Sequence, residues 1–362
     1  MHFRPHSVRR LLACALYGLC AVLPVNRAGS ATLLVSDPDN RQIVFIDTIT
    51  GARRSASVTG EGPRTVAVSP DGLLALVGSY GSGRLAGTSL QLIDITGGRI
   101  RNSISIAPYQ RPSAIQWMPD GRSALVAVEG AKSLLKIDVQ GARIENSFGE
   151  AASTPRQFSL TRDGRSVFLG DPAGGKIRKI DLTDGREIAA SEFSTTAQSL
   201  ALSADGARLW VVDSSENTIK VLDGGTLRLI AGLDAGNLPM GVALTPNGRY
   251  ALVSNALSAD IAVYDTATLE QSQLFSTRSV ASTSLVPRSE EDRYKDVKRV
   301  AQISIPVGIL AAPDGLSAFV MNNFSGEIIQ FDIFTGAPLH VFQGSRRPGG
   351  MAYSPVAAGK AP

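Results

Sequence analysis

The residues whose types and spacing could bind or react form two small sets. Arginine stands beside a proline at Arg64, Arg111 and Arg156, and the pair Arg346-Arg347 comes immediately before Pro348. A guanidinium presents a planar fork of donors that matches a carboxylate or a phosphate, so arginines converging on one place make an anion site. The second set recurs seven residues after a glycine turn: Ser79, Val128, Asp171, Asp213, Asn255 and Asn322, with Asp37 as a seventh equivalent. Short polar side chains at strand ends bond nearby backbone amides, which is one use for them. The other is ligand binding, or acid–base chemistry by Asp37, Asp171 or Asp213 beside Arg64 or Arg156.

Other chemistries fail on residue counts. Of three histidines, His2 and His6 lie at the extreme N-terminus, leaving His340 on an expected outer strand. A Ser-His-Asp triad and a zinc or copper site both need inward-facing histidines, so neither a catalytic triad nor a metal is expected. Gly81-Ser82-Gly83-Arg84-Leu85-Ala86 matches a dinucleotide-binding string. It falls between two strands with no helix start to hold a pyrophosphate, and reads as a flexible hairpin loop. Asp37-Pro38-Asp39-Asn40 opens like a calcium loop, but Thr48 stands where the bidentate Glu belongs. No cofactor is expected. Aromatics make up only 6% of the chain, too few for platforms that stack sugars or single-stranded nucleic acid.

The N-terminus reads as an export signal over residues 1–28. Arg4, Arg9 and Arg10 precede the apolar run Leu11 to Val25, and small residues follow at Ala28, Gly29, Ser30 and Ala31. This run is short for a membrane span, and no later segment is apolar enough to be one. The signal holds four arginines and no acid, so its removal leaves 32 basic against 32 acidic residues. The net charge of +4 therefore belongs to the signal and gives no reason to expect nucleic acid. Cys14 and Cys20 lie in the signal too, so the mature chain has no disulfide and no thiolate. A periplasmic or secreted location follows as the expectation.

What must position the two polar sets is a repeat. Val68-Ser69-Pro70-Asp71-Gly72, Met118-Pro119-Asp120-Gly121 and Thr245-Pro246-Asn247-Gly248 each separate two apolar runs. Proline presets the first φ of such a turn, Asp or Asn bonds its own backbone, and glycine takes the positive φ. The turn glycines 72, 121, 164, 206, 248 and 315 are spaced 49, 43, 42, 42 and 67. An apolar-x-Asp-x phrase follows each one, at Asp94, Asp138, Asp181, Asp223, Asp265 and Asp332, and occurs once before the first, at Asp47. Pro348 to Pro355 matches the start of one more repeat and then stops. The expected fold is thus all-β: a seven-bladed propeller of four-stranded antiparallel blades. Its ring is closed by N-terminal strands, near 32–36, 42–48 and 53–58, pairing with the C-terminal strand. Residues 29–362 form one domain, with a charged insertion at 276–300 placed over the same face as the arginines.

Ala-Val-Ser-Pro-Asp-Gly at 67–72, Val-Ser-Asn at 253–255 and Ala-Val-Tyr-Asp-Thr-Ala-Thr at 262–268 resemble the repeat of the YVTN family of seven-bladed propellers. The resemblance covers residues 31–356 and implies fold far more than function, because that family includes surface-layer, periplasmic and interaction proteins. Related propellers include lactonases and subunits of quinoprotein enzymes. The expected function is an exported binding or scaffold protein, recognising a protein, peptide or small anionic ligand at the arginine-bearing mouth. A histidine-free lactonase, or an accessory propeller of a periplasmic quinoprotein dehydrogenase, is the alternative.

Overall fold

The computed structural model describes residues 30–58, 60–131, 133–148, 157–170, 175–193, 195–277 and 304–358. Their regular structure is entirely strand, in seven four-stranded antiparallel sheets. Blade 1 runs Pro63–Val68, Leu74–Ser82, Leu85–Asp94, Arg99–Ser105, and blades 2 to 6 repeat this meander. The first strand of each blade meets the first strand of the next, so these six strands and Met351–Ser354 form the inner wall of a ring.

The turn residues act as their chemistry requires. All six turn glycines have φ between +64° and +77°. Beside them, the side chains of Asp71, Asp120, Asp163, Asp205, Asn247 and Asp314 each accept the amide two residues on. The second phrase closes the turn to the outer strand: Asp265 accepts from Ala267 and Thr268, and Asp332 from Phe334 and Thr335.

Second strands such as Ser123–Val128 and Tyr250–Asn255 are buried along their whole length. Neighbouring blades cover both of their faces, which is why they read as continuous apolar runs rather than alternating ones. Each fully buried Leu, Ile, Val or Phe contributes about 1.5–3 kcal/mol. Some polar atoms in this core find specific partners: the Trp117 indole donates to the Ala67 carbonyl of the preceding blade at 3.0 Å. The Tyr264 hydroxyl donates to the Asp234 carbonyl at 2.7 Å.

Blade 7 is the composite one. Met351–Ser354 pairs antiparallel with Thr32–Asp37, followed by Gln42–Asp47 and Arg53–Ser57. Ser36 locks the seam. Its hydroxyl accepts the Gly350 amide at 2.7 Å and donates to the Arg64 carbonyl of blade 1 at 3.1 Å. The seam is tight enough to demand glycine, since a Cβ on Gly349 would stand 2.6 Å from the Arg64 carbonyl oxygen.

The Gly81–Ala86 string differs from its expected loose loop. Pairing continues out to Ser82 opposite Leu85, leaving only Gly83 and Arg84 as the turn. Gly81 permits this at φ +100°, where a Cβ would sit 2.1 Å from the Leu85 carbonyl. Asp37–Asn40 is a turn between strands, and His340 lies exposed on the outer strand Pro338–Gln343. The expected signal lies outside the described residues. So does nearly all of the expected insertion, between Thr277 at the end of blade 5 and Ser304 at the start of blade 6.

Candidate functional site: a basic corner of the central channel

Inner strands from all seven blades enclose a cavity of about 450 Å³ on the ring axis. The residue after the strand-opening position reaches this cavity in six blades: Arg64, Ser113, Gln198, Met240, Val307 and Gly349. Arg156, its counterpart in blade 3, lies outside the described residues, but Gln157 of that blade lines the wall. The wall is therefore uneven. Arg64, Ser113, Gln157 and Gln198 of blades 1 to 4 present charge, hydroxyl and amide, blade 5 presents Met240, blade 6 presents Val307 and the polar Asn323, and blade 7 adds Met351.

The charge is concentrated around Tyr80. The guanidinium of Arg64 lies over its ring at 4.5 Å and that of Arg111 at 5.3 Å. Two cations thus share one aromatic ring, an attraction worth about 0.5–1 kcal/mol each at an exposed site. The Tyr80 hydroxyl donates to Glu129 Oε2 at 2.5 Å. Burial, that bond and the Glu129 charge together push its pKa above the ordinary tyrosine value. Arg111 is held by the extended hairpin, its amide donating to Gly87 at 2.8 Å and its guanidinium to the Gly83 carbonyl at 3.0 Å. Its φ of +58° is shared by Leu238 at +54° in the equivalent connection, so this conformation belongs to the repeat rather than to the arginine. Arg64, Arg346 and Arg347 are exposed and form no ion pair among the described residues. Arg64 lines the cavity; Arg346 and Arg347 do not, though they enter the same seam just before Pro348.

The polar strand ends sit at the expected register. Ser79 pairs with Pro63, Asp213 with Ala197, Asn255 with Pro239 and Asn322 with Pro306, each opposite an inner-strand start. Their side chains do not line the cavity, however, because they are buried within the blades. Asp37 accepts from the Asn40 and Gln42 side chains at 2.8 and 3.0 Å and from Ser345 at 2.8 Å. Burial alone would raise its pKa, but these bonds outweigh burial and hold it below the usual carboxylate range. Asp213 accepts from Thr195 and from Lys220, each at 2.7 Å, and from Thr196 and Ser215. Burial again opposes ionisation there, and the Lys220 and threonine bonds overcome it, leaving the carboxyl well below its ordinary value. Asn255 donates to Asp260 at 2.7 Å, whereas neither amide atom of Asn322 has a hydrogen-bond partner among the described residues. Asp171 lies outside the described residues.

The structure thus brings Arg64 and Arg111 together and sets Asp37, Asp213, Asn255 and Asn322 apart from them. Tyr80 and Glu129, the ring and carboxylate between the arginines, do not stand out in the sequence because they follow the aligned strand end by one residue. Met240, Val307 and Gln198 escape the sequence reading as well. A signal for them exists: each follows the strand-opening residue, as Arg64 does.

No family model matches the chain, and no curated protein matches its sequence. Solved structures do. A functionally unknown protein from Desulfotomaculum acetoxidans superposes with a TM-score of 0.70 at 14% identity, covering 91% of this chain and 100% of that one. Hydrazine synthase from Kuenenia stuttgartiensis gives 0.63 at 21% identity, covering 83% of this chain and 92% of that one. A candidate 6-phosphogluconolactonase from Bacteroides uniformis gives 0.65 at 17% identity, over 90% and 99%. At these identities the likeness is one of fold alone.

Proposed function

We propose that this chain is an exported binding protein, of the YVTN propeller kind, that captures an anionic group of a ligand or partner at the basic corner of its channel. The observation that carries this reading is Arg64: exposed to the cavity, without an ion pair among the described residues, and held over Tyr80. A guanidinium pinned on a ring has already lost part of its rotamer freedom, so less is lost when an anion docks. Arg346 and Arg347 add positive potential along the approach. Asp37 serves this site indirectly, accepting from Ser345 in the connection that carries Arg346 and Arg347, and Asp213, Asn255 and Asn322 take no part in it.

Calorimetric titration of the mature protein with succinate and with an acidic peptide tests the reading. Arg64→Ala should weaken binding at least tenfold, the size of a charged hydrogen bond worth about 1.5–3 kcal/mol. Unchanged affinity in that variant, or no binding to the unaltered protein, would remove the site.

A second reading has one specific observation behind it. Glu129 lines the same cavity as Arg64, so a carboxylate and an arginine share an enclosed space, as a hydrolase would need. The structural neighbour described as a candidate 6-phosphogluconolactonase makes sugar lactones the first substrates to try. Turnover that is abolished by Glu129→Gln would establish it.

A further inference from the structure

Blade 3 breaks the repeat at its turn, and the break lies beside a second cavity. Blades 1, 2, 5 and 6 place proline before the turn Asp or Asn, at Pro70, Pro119, Pro246 and Pro313, whereas blade 3 places Arg162 there. Ala204 of blade 4 departs as well, with a side chain that adds no chemistry. The proline covers the turn glycine of the following blade. A Cβ on Gly121 would stand 3.9 Å from Pro70, and one on Gly164 would stand 3.0 Å from Pro119. A Cβ on Gly206, the glycine after Arg162, would meet nothing within 4 Å. Arg162 thus gives up both this cover and the preset φ of proline. From its surroundings we infer that Arg162 anchors a docking groove for a partner's short segment, a glutamate flanked by bulky apolar residues. The groove lies at the opposite end of the inner strands from Arg64, so the inference is independent of the basic corner and gives the propeller a second binding face.

The groove is an open cavity of about 430 Å³ between the inner-strand ends of blades 1, 2 and 3. Ile115 and Gln116 border both it and the channel cavity, which places it at the other mouth of the same channel. Val68, Pro70, Trp117, Pro119 and Leu160 make its floor largely apolar. The Trp117 indole N–H is committed to the Ala67 carbonyl, so its ring offers the groove only apolar surface. Arg162 is the charged residue of this lining; exposed, it makes no ion pair or hydrogen bond among the described residues. The adjacent Asp163 does not answer it, because that carboxylate accepts from the Thr161 hydroxyl at 2.6 Å and the Arg165 amide at 3.0 Å. Asp71 and Asp120, in the turns after Pro70 and Pro119, are likewise bonded to the amides of Leu73 and Arg122. An unpaired guanidinium at the edge of an apolar floor complements a carboxylate that stands between apolar side chains. A small-molecule site encloses most of its ligand, whereas this groove is open on one side. It therefore suits a segment of a larger chain, whose flanking residues cover what the groove leaves exposed.

The test is calorimetry with acetylated, amidated tripeptides that place Glu between Leu, Phe or Trp residues, so that the glutamate is their only charge. At least one should bind the unaltered protein with a Kd below about 1 mM, and its Gln counterpart should bind at least tenfold more weakly. Arg162→Pro restores the residue of the other blades, so it should keep or raise the melting temperature and bring the Glu and Gln peptides to one weak affinity. Arg162→Ala should give the same loss of discrimination without constraining the backbone. Arg64→Ala should leave both affinities unchanged, which separates this groove from the basic corner. Equal binding of the Glu and Gln peptides by the unaltered protein, or binding of none, would overturn the inference. Binding lost in Arg64→Ala and kept in Arg162→Pro would overturn it too, by moving the peptide to the basic corner. Self-association of the unaltered protein that disappears in Arg162→Pro would make a second copy the occupant and overturn the assignment to a partner's segment.

Discussion

Asp213 and Asn322 occupy one register of the propeller and live in opposite circumstances. Each ends the second strand of its blade, opposite the first residues of the inner strand, and each side chain is almost wholly buried. Asp213 is saturated: Thr195 and Thr196 reach it from the incoming connection, Ser215 from the following turn, and Lys220 from the third strand. The Asn322 amide has no hydrogen-bond partner on either atom among the described residues. The repeat thus fixes where a polar side chain goes, and the non-repeating connections decide whether it is satisfied. A shared position is evidence of a shared place and not of a shared role.

The largest effect should come from breaking the satisfied member. Removing the Asp213 carboxylate leaves Lys220, only 12% exposed, with the more exposed Glu216 as its remaining charged partner. Breaking a buried pair from one side costs about 3 kcal/mol or more, because the surviving charge stays desolvated. Asp213→Ala should therefore lower unfolding stability by about 3 kcal/mol in chemical denaturation. A loss below about 1 kcal/mol would show that Glu216 alone satisfies Lys220, and that the network is an ordinary surface pair.

The unsatisfied member should respond with the opposite sign. A buried amide lacking partners costs about 1–3 kcal/mol relative to an apolar group of the same shape. Asn322→Leu should raise stability by about 1 kcal/mol, and the same denaturation experiment reads it. Destabilisation by that substitution would mean that the Asn322 amide is bonded in solution, and the contrast with Asp213 would collapse.

The contrast also marks how far the sequence could be read. Turn glycines 72 to 315 and the aspartates from 47 to 332 carry local backbone chemistry, which is the same in every blade and therefore countable. Seven of one mark against six of the other gave the closure, and Met351–Ser354 pairing with Thr32–Asp37 is that closure. Arg64 could be placed at the mouth because proline fixes the start of the inner strand. Tyr80 and Glu129 could not, because their roles arise from a contact between blades 1 and 2, and no periodicity reports contacts between blades. Two of the channel-lining side chains were hidden for another reason. Met240 and Val307 look like core residues, and only their register, one position after a proline, turns them towards the axis.

The smallest effect, and the sharpest, is the pH dependence of the two variants. Hydrogen bonds hold Asp94, Asp138, Asp181, Asp223, Asp265 and Asp332 below the ordinary carboxylate pKa, so every form of the protein should lose stability in acid. Differences between variants cancel that common loss. The folded-state pKa of Asp213 is depressed, so its contribution is present above the unfolded value of 3.8 and lost as pH falls through the folded one. Lys220 is raised above its ordinary value of 10.5, the bonds to Asp213 and Glu216 outweighing burial. Its contribution is complete below that value and lost only at higher pH. The gap between the unaltered protein and Asp213→Asn should therefore be flat from about pH 5 to 9 and should narrow below about pH 4. Asn322→Leu removes no titrating group, so its gain should hold at the same size down to about pH 3. A narrowing for both variants would attribute the acid response to general loosening of the ring. A narrowing for Asp213→Asn alone would attribute it to the buried pair.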